Sequence, residues 1–221
     1  MAQARATTTE GVTAAAARVF LQKGYQASTI DDIAREAGIS KPTVYQYARS
    51  KQWLLDEIVS LVSREMEECE SVLLSASAPA SVRLHWVLQL HVAFAVRYRQ
   101  SYRVTLSEQA GLSPEARDEF RLWARRATSN FGNLLADCRR EGSFDWPHDI
   151  EVAANLIMST LNSIHRWFQP DETLSVAMLV DDVVHLFSGA YTAPEMTCWA
   201  MPELPASTID LGRPARPFKV L

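Results

Sequence analysis

The sequence predicts an all-α protein. Three observations carry that expectation. Apolar residues recur at three- and four-residue spacing through most of the chain, and no segment shows the alternation of a half-buried strand. Five of the ten prolines (Pro42, Pro79, Pro114, Pro147 and Pro170) stand at breaks between helical patterns, and the other five fall in the last 30 residues. At 221 residues the chain can bury one sizeable core or join a small domain to a larger one.

About nine helices follow from the pattern. The first covers about Thr9 to Lys23, with Val12, Ala16, Val19 and Phe20 as its apolar stripe and Gly24 as its C-terminal cap. The second, about Ile30 to Ala37, has Thr29 as N-cap and Asp32 at its positive end. Gly38 ends it. Ser40 caps a third helix, about Lys41 to Ala48, where Pro42 sits in the tolerant first turn. Ser50 caps a fourth, Lys51 to about Ala76, which buries Trp53, Leu54, Ile58, Leu61 and Val62. Its acidic stretch Glu65 to Glu70 is expected to be solvated.

Beyond Pro79 the pattern changes. A fifth helix, about Ser81 to Arg99, is apolar almost all round and must be enclosed by others. A short sixth covers Tyr102 to Gln109. The seventh runs Pro114 to Arg140 and ends at Gly142. The eighth and ninth span about Asp149 to Phe168 and Thr173 to Tyr191. The ninth carries two apolar stripes, one through Val180 and Val184 and one through Leu179 and Val183. One chain offers one core, so a second apolar face suggests a partner helix. Helices 149–168 and 173–191 are therefore the expected homodimer interface, a four-helix bundle of two pairs. The tail 192–221 holds five prolines and is expected to be extended or disordered, with Trp199 able to dock.

Composition bounds the function. The chain is 48% hydrophobic and 22% charged with a net charge of -4, ordinary for a soluble globular protein. The charge is uneven: residues 1–55 carry seven Lys/Arg against four Asp/Glu, and the remainder 15 against 22. A basic front on an acidic body suggests that the front alone meets a polyanion, and it argues against a protein that coats DNA without preference. Cys69, Cys138 and Cys198 are odd in number and far apart, which fits a reducing cytoplasm. The opening MAQARATTTE is polar and lacks a signal-segment pattern. The apolar run Leu84 to Val96 is too short to span a bilayer, so no membrane partner is expected.

Two short helices joined by a tight turn at Gly38 form a helix-turn-helix, whose second helix enters the major groove. Val44 and Ala48, four apart, face inward. Lys41, Thr43, Tyr45, Gln46 and Tyr47 fall on the exposed arc, and each can donate or accept a hydrogen bond. Phosphates suit Lys, Thr and Tyr, whereas Lys to guanine and Gln to adenine suit base edges. Lys51, with the N–H groups opening the fourth helix, and Thr29, opening the second, are placed to clamp phosphates.

The run AAARVFLQKGYQASTIDDIAREAGISKPTVYQYARSKQWLLDEIV resembles the N-terminal domain of the TetR (tetracycline-repressor) family. The match covers about Ala14 to Val59. It rests on Phe20, Gly24-Tyr25, Thr29-Ile30, Ile33-Ala34, Ala37-Gly38, Thr43-Val44-Tyr45, Lys51 and Leu54-Leu55. The resemblance implies an all-helical homodimeric regulator, usually a repressor, that binds a palindromic operator and is released by a small effector. It implies a helix-turn-helix domain over residues 1–55 and a ligand-binding and dimerisation domain over 56–191. One departure stands out: the family usually has a large aromatic where this chain has Ala48. In the second domain LNSIHRWFQPDETLS, LSEQAGLSPEARDEF and REGSFDWPHDIEVAANLIM are similar to an actinobacterial subgroup. That similarity implies an acyl-CoA or a related lipid- or steroid-derived acid as effector.

Helical faces nominate the ligand-binding residues. Trp86, Leu90, Phe94, Trp123, Ala127, Phe131 and Met158 would line an apolar cavity, and Asn162, His165 and Arg166 would add polar groups. Arg166, with Arg97, Arg99 and Arg103, suits a carboxylate or phosphate head. No resident cofactor or metal is expected. The sequence holds no Gly-rich phosphate loop, G-x-S-x-G or H-E-x-x-H, and the cysteines lack zinc spacing. Asp181 and Asp182 near His185 make the one arguable metal motif, and a helical-bundle metal- or cofactor-dependent enzyme is the alternative to a regulator.

Overall fold

The computed structural model describes residues 8–97, 99–168, 175–187 and 195–205, side chains excepted at 97, 100, 101, 176 and 197. Among the described residues there are nine α-helices and no β-strand. They are α1 (Thr9–Lys23), α2 (Ile30–Ala37), α3 (Lys41–Tyr47), α4 (Lys51–Leu74), α5 (Ala80–Arg97), α6 (Arg99–Ser107), α7 (Pro114–Arg140), α8 (Ile150–Trp167) and α9 (Val176–Leu186). Single 3-10 turns lie at Gln109–Gly111 and Met196–Cys198. The expected helix order is the one observed. α6 starts at Arg99 rather than Tyr102, and the outer ends expected for the ninth helix lie outside the described residues.

The chain divides into two compact units, with the cut falling within α4 after Glu65 and within α7 after Leu122. The first unit holds α1, α2, α3, the opening of α4, α6, the turn at Gln109–Gly111 and the start of α7. α1 is its hub, packing on α2, α3 and α6. Val12, Val19, Phe20, Ile33, Ala37 and Val44 are buried, and the Arg18 Nε–Glu36 Oε1 pair at 2.6 Å ties α1 to α2. Gly24 takes φ 79° and Gly38 takes φ 68°, the left-handed region that lets each helix stop where its neighbour must begin. A Cβ at Gly111 would stand 2.7 Å from the Tyr25 ring, so only glycine lets the 3-10 turn lie against Tyr25.

The second unit is built on α5, which packs against α8 and α9. Leu84, Trp86, Val87, Leu88, Leu90, Val92 and Phe94 are all buried, so α5 is enclosed as its all-round apolar pattern requires. Its first N–H groups are capped from a distance: the Glu141 carboxylate accepts from Ala80 N–H at 2.9 Å and from Ser81 N–H at 3.4 Å. Arg83 donates to the Leu74 carbonyl at 2.8 Å and pairs with Asp137 at 3.2 Å. A gap of about 10 Å³, room for about one water, lies among Leu84, Leu88, Leu135, Phe144, Ile157, Val184 and Phe187.

One expectation changes. The acidic stretch of α4 is not solvated throughout: Glu67 and Glu68 are exposed, but Glu65 and Glu70 are buried. The helical period explains the split, because residues 65, 66, 69, 70 and 73 share one face with the apolar stripe. Of the tail, residues 195–205 are described, with a 3-10 turn at Met196–Cys198, Trp199 exposed and Leu204 buried, and the rest lies outside the described residues.

Candidate nucleic-acid interface

α3 is short, and its termini hold it. Ser40 Oγ accepts from Thr43 N–H at 3.3 Å and shares a hydrogen bond with Thr43 Oγ1 at 2.7 Å. Pro42 occupies the first turn, where its missing N–H costs nothing. Val44 and Ala48 are fully or nearly fully buried, and the Ala48 N–H closes the helix on the Val44 carbonyl at 2.9 Å. Ala48, at the position where the family usually places an aromatic, is therefore a core position with the smallest available side chain.

With that side buried, the opposite arc is presented outward. Lys41, Pro42, Tyr45 and Gln46 are exposed, and Thr43 and Tyr47 are half-buried. Tyr45 leaves 52% of its surface uncovered, a large apolar ring held in water at mid-helix. Lys41 Nζ donates to Asp31 Oδ2 at 2.8 Å, across the turn from α2. That hydrogen bond, and Asp31's charge, raise the Lys41 pKa, so the side chain stays a cation. Asp31 was not nominated from sequence. Arg49, in the link to α4, is exposed and was not nominated either.

α2 opens with a capping box. Thr29 Oγ1 accepts from Asp32 N–H at 3.2 Å and donates to Asp32 Oδ2 at 2.8 Å, and Thr29 N–H donates to the same carboxylate at 3.0 Å. Lys23 also hydrogen-bonds Asp32. The Lys23 and Thr29 bonds hold the Asp32 carboxyl well below the usual carboxylate range. Thr29 is exposed at the helix start, but its hydroxyl is engaged in the cap.

Lys51 does something that local spacing does not announce. Its ammonium donates to the carbonyls of Tyr25 at 2.7 Å and Ser28 at 2.8 Å, reaches that of Gln26 at 3.4 Å, and sits 4.4 Å from the centre of the Tyr25 ring. An ammonium has three donors, and all three go to backbone carbonyls. The side chain expected to clamp a phosphate is turned to these carbonyls in this structure. Lys51 closes the turn that leads from α1 into α2. Ser50 caps α4 by accepting from Trp53 N–H at 2.9 Å.

The nominated ligand-binding residues lie in the second unit. Trp86, Leu90, Phe94, Ala127, Phe131, Met158 and His165 are buried, Trp123 and Asn162 are half-buried, and Arg166 is exposed. Of the arginines proposed to receive an anionic head, Arg103 is exposed, Arg99 half-buried, and the side chain of Arg97 lies outside the described set. Sequence reasoning missed a buried polar pair on this unit, Glu70 of α4 and His91 of α5, with Glu70 Oε1 3.6 Å from His91 Nε2. α8 buries one face through Ala153, Ala154, Ile157, Met158, Leu161, Ile164 and His165. On its other face Val152, Leu156 and Trp167 remain 50 to 60% exposed, and on α9 Met178 and Leu186 are exposed as well. Asp181, Asp182 and His185 are exposed, and among the described residues no group of three or more His, Cys, Asp or Glu side chains could share a metal. No helix among them is long and apolar enough to cross a membrane.

Comparison with known proteins agrees with this geometry. Residues 12–58 match the model for bacterial regulatory proteins of the tetR family, and residues 77–190 match the tetracyclin repressor-like C-terminal domain. The chain is 27% identical over 188 residues to the HTH-type transcriptional repressor KstR2 of Rhodococcus jostii, covering 81% of this chain and 88% of that one. It is 23% identical over 186 residues to the HTH-type transcriptional activator FasR of Mycolicibacterium smegmatis, covering 83% and 82%. The fold matches that of AibR, solved in complex with isovaleryl coenzyme A and operator DNA, with a TM-score of 0.72 at 22% identity over 81% of this chain and 97% of that one. KstR2 and FasR are named as regulators of transcription rather than as enzymes. With an N-terminal helix-turn-helix, a helical second unit and family matches over both, this chain belongs to the TetR family of transcriptional regulators.

Proposed function

We propose that the chain is a ligand-responsive, cytoplasmic regulator that binds a palindromic operator as a homodimer and is released by a small apolar effector. The observation that carries it is the outer arc of α3. Lys41, Tyr45 and Gln46 stand in solvent on a seven-residue helix whose other side is locked by Val44 and Ala48. Gln46 is assigned to an adenine edge and Lys41 to a guanine edge or a phosphate. Thr43, Tyr45, Tyr47 and the helix starts at Thr29 and Lys51 are assigned to the backbone.

The homodimer reading is supported by the exposed apolar side of α8 and the exposed Met178 and Leu186 of α9, which a second copy would cover. Residues 1–55 would serve as the DNA-binding part and 56–191 as the part that binds effector and partner. An acyl-CoA is the effector class that the fold likeness to AibR supports, because that relative was solved with isovaleryl coenzyme A. KstR2 is named a repressor and FasR an activator, and repression is the sign proposed here.

Selection of genomic fragments at physiological salt tests the proposal. A palindrome with half-sites about one helical turn apart, or somewhat more, is expected, with affinity that falls steeply as salt rises. Enrichment of no palindromic site would overturn it.

A further inference from the structure

The buried pair on α4 and α5 has no assigned role. Glu70 and His91 are each 3% exposed. Their closest approach, 3.6 Å, is too long for a hydrogen bond. Glu70 Oε1 and both ring nitrogens of His91 lack a hydrogen-bond partner. Among the described residues no lysine or arginine lies within ion-pair distance of Glu70, since Arg126 pairs with Glu67 instead. Buried polar atoms in native proteins are almost always satisfied, so a pair left this way is built to meet something else. Its surroundings are apolar. The His91 ring meets Phe131 edge-on at 6.5 Å, and Phe94, one turn further along α5, is fully buried.

We propose that Glu70 and His91 form the polar end of the effector site and bind a hydroxyl group carried on an apolar ligand. The chemistry selects the group. A carboxylate offers acceptor oxygens, and an imidazole offers ring nitrogens that donate or accept. A hydroxyl can donate its one proton to Glu70 Oε1 and accept from an N–H of His91. A ligand carboxylate placed here would face the Glu70 carboxylate, and an ether could not donate. The pair therefore reads the buried end of the effector and leaves any anionic head to be held elsewhere. This assignment rests on the reading of the second unit as the effector-binding part.

Calorimetric titration of the full chain with decan-1-ol, decyl methyl ether and decanoate tests it. The alcohol is expected to bind at least tenfold more tightly than either of the others. Glu70→Leu should bring the three within about twofold, and Glu70→Gln, which keeps an acceptor oxygen, should retain the preference. His91→Leu serves as a second variant should Glu70→Leu fail to fold. Equal binding of ether or decanoate, no binding by any probe, or a preference untouched in Glu70→Leu would overturn the assignment. Operator affinity measured alongside separates the two claims. Alcohol binding with the expected preference but no effect on operator affinity would leave the hydroxyl site standing and remove the effector response.

Discussion

The helix-turn-helix and the second unit treat their polar side chains in opposite ways. In the first unit short polar residues start helices: Thr8, Thr29 and Ser40 cap α1, α2 and α3, and Asp32 completes the box. What remains polar on α3 faces water. In the second unit polar groups are taken inside, as with Glu70, His85, His91 and His165. The difference teaches that a nucleic-acid reader can be rigid and locally determined, because its ligand is reached from outside. The second unit, proposed to bind an effector, would instead meet its ligand from within and so carries polarity in its interior.

The largest effect is expected where the reader has a core. Val44 is fully buried, and Val44→Asp would leave an unpaired charge there, costing about 3–5 kcal/mol. Urea unfolding should show the loss, with operator binding abolished. Gly111→Ala should cost about 1–3 kcal/mol, because the new methyl must displace the Tyr25 ring. An equally stable variant would show that the 3-10 turn is free to move.

Lys51→Ala separates support from contact. Removing the donors to the Tyr25 and Ser28 carbonyls should lower stability by about 1–3 kcal/mol. The salt dependence of operator binding by the folded variant should stay unchanged. A slope reduced by about one would instead identify a phosphate contact.

Thr29→Ala should cost about 1 kcal/mol by loss of the α2 cap. The partner carboxylate adds a pH signature. Its folded pKa is depressed, so its stabilisation is fully present above the ordinary carboxylate pKa of about 3.9 and is lost as pH falls toward the folded value. Chemical unfolding of the wild type and Asp32→Asn should therefore differ by a constant amount near neutrality and converge in acid. A gap that persisted in acid would contradict the assignment.

Much of this contrast was legible in the sequence, for a physical reason. Caps, the turn glycines and the first-turn proline act within four residues, so Gly24, Thr29, Gly38, Ser40 and Pro42 announce α1 to α3 on their own. Contacts that span distance were not legible. Lys51 meets carbonyls 23 to 26 residues away, and Lys41 meets Asp31 ten residues back. Glu141 caps a helix 61 residues upstream. The acidic run of α4 shows the same limit: four glutamates within six residues suggest a wet face, but the helical turn sends Glu65 and Glu70 inward. The signal that could have found them is the apolar stripe of Val62, Met66, Cys69 and Leu73, which shares their face.

The most direct test of α3 as the reading element is a base-by-base substitution scan of one operator half-site, run at fixed salt with the wild type, Gln46→Ala and Tyr45→Ala. Gln46→Ala should flatten the preference at one base pair, a loss of about 1–3 kcal/mol of discrimination there. Tyr45→Ala should weaken every sequence alike. Equal and uniform losses in both variants, or no loss in either, would contradict the assignment of the exposed arc to sequence recognition.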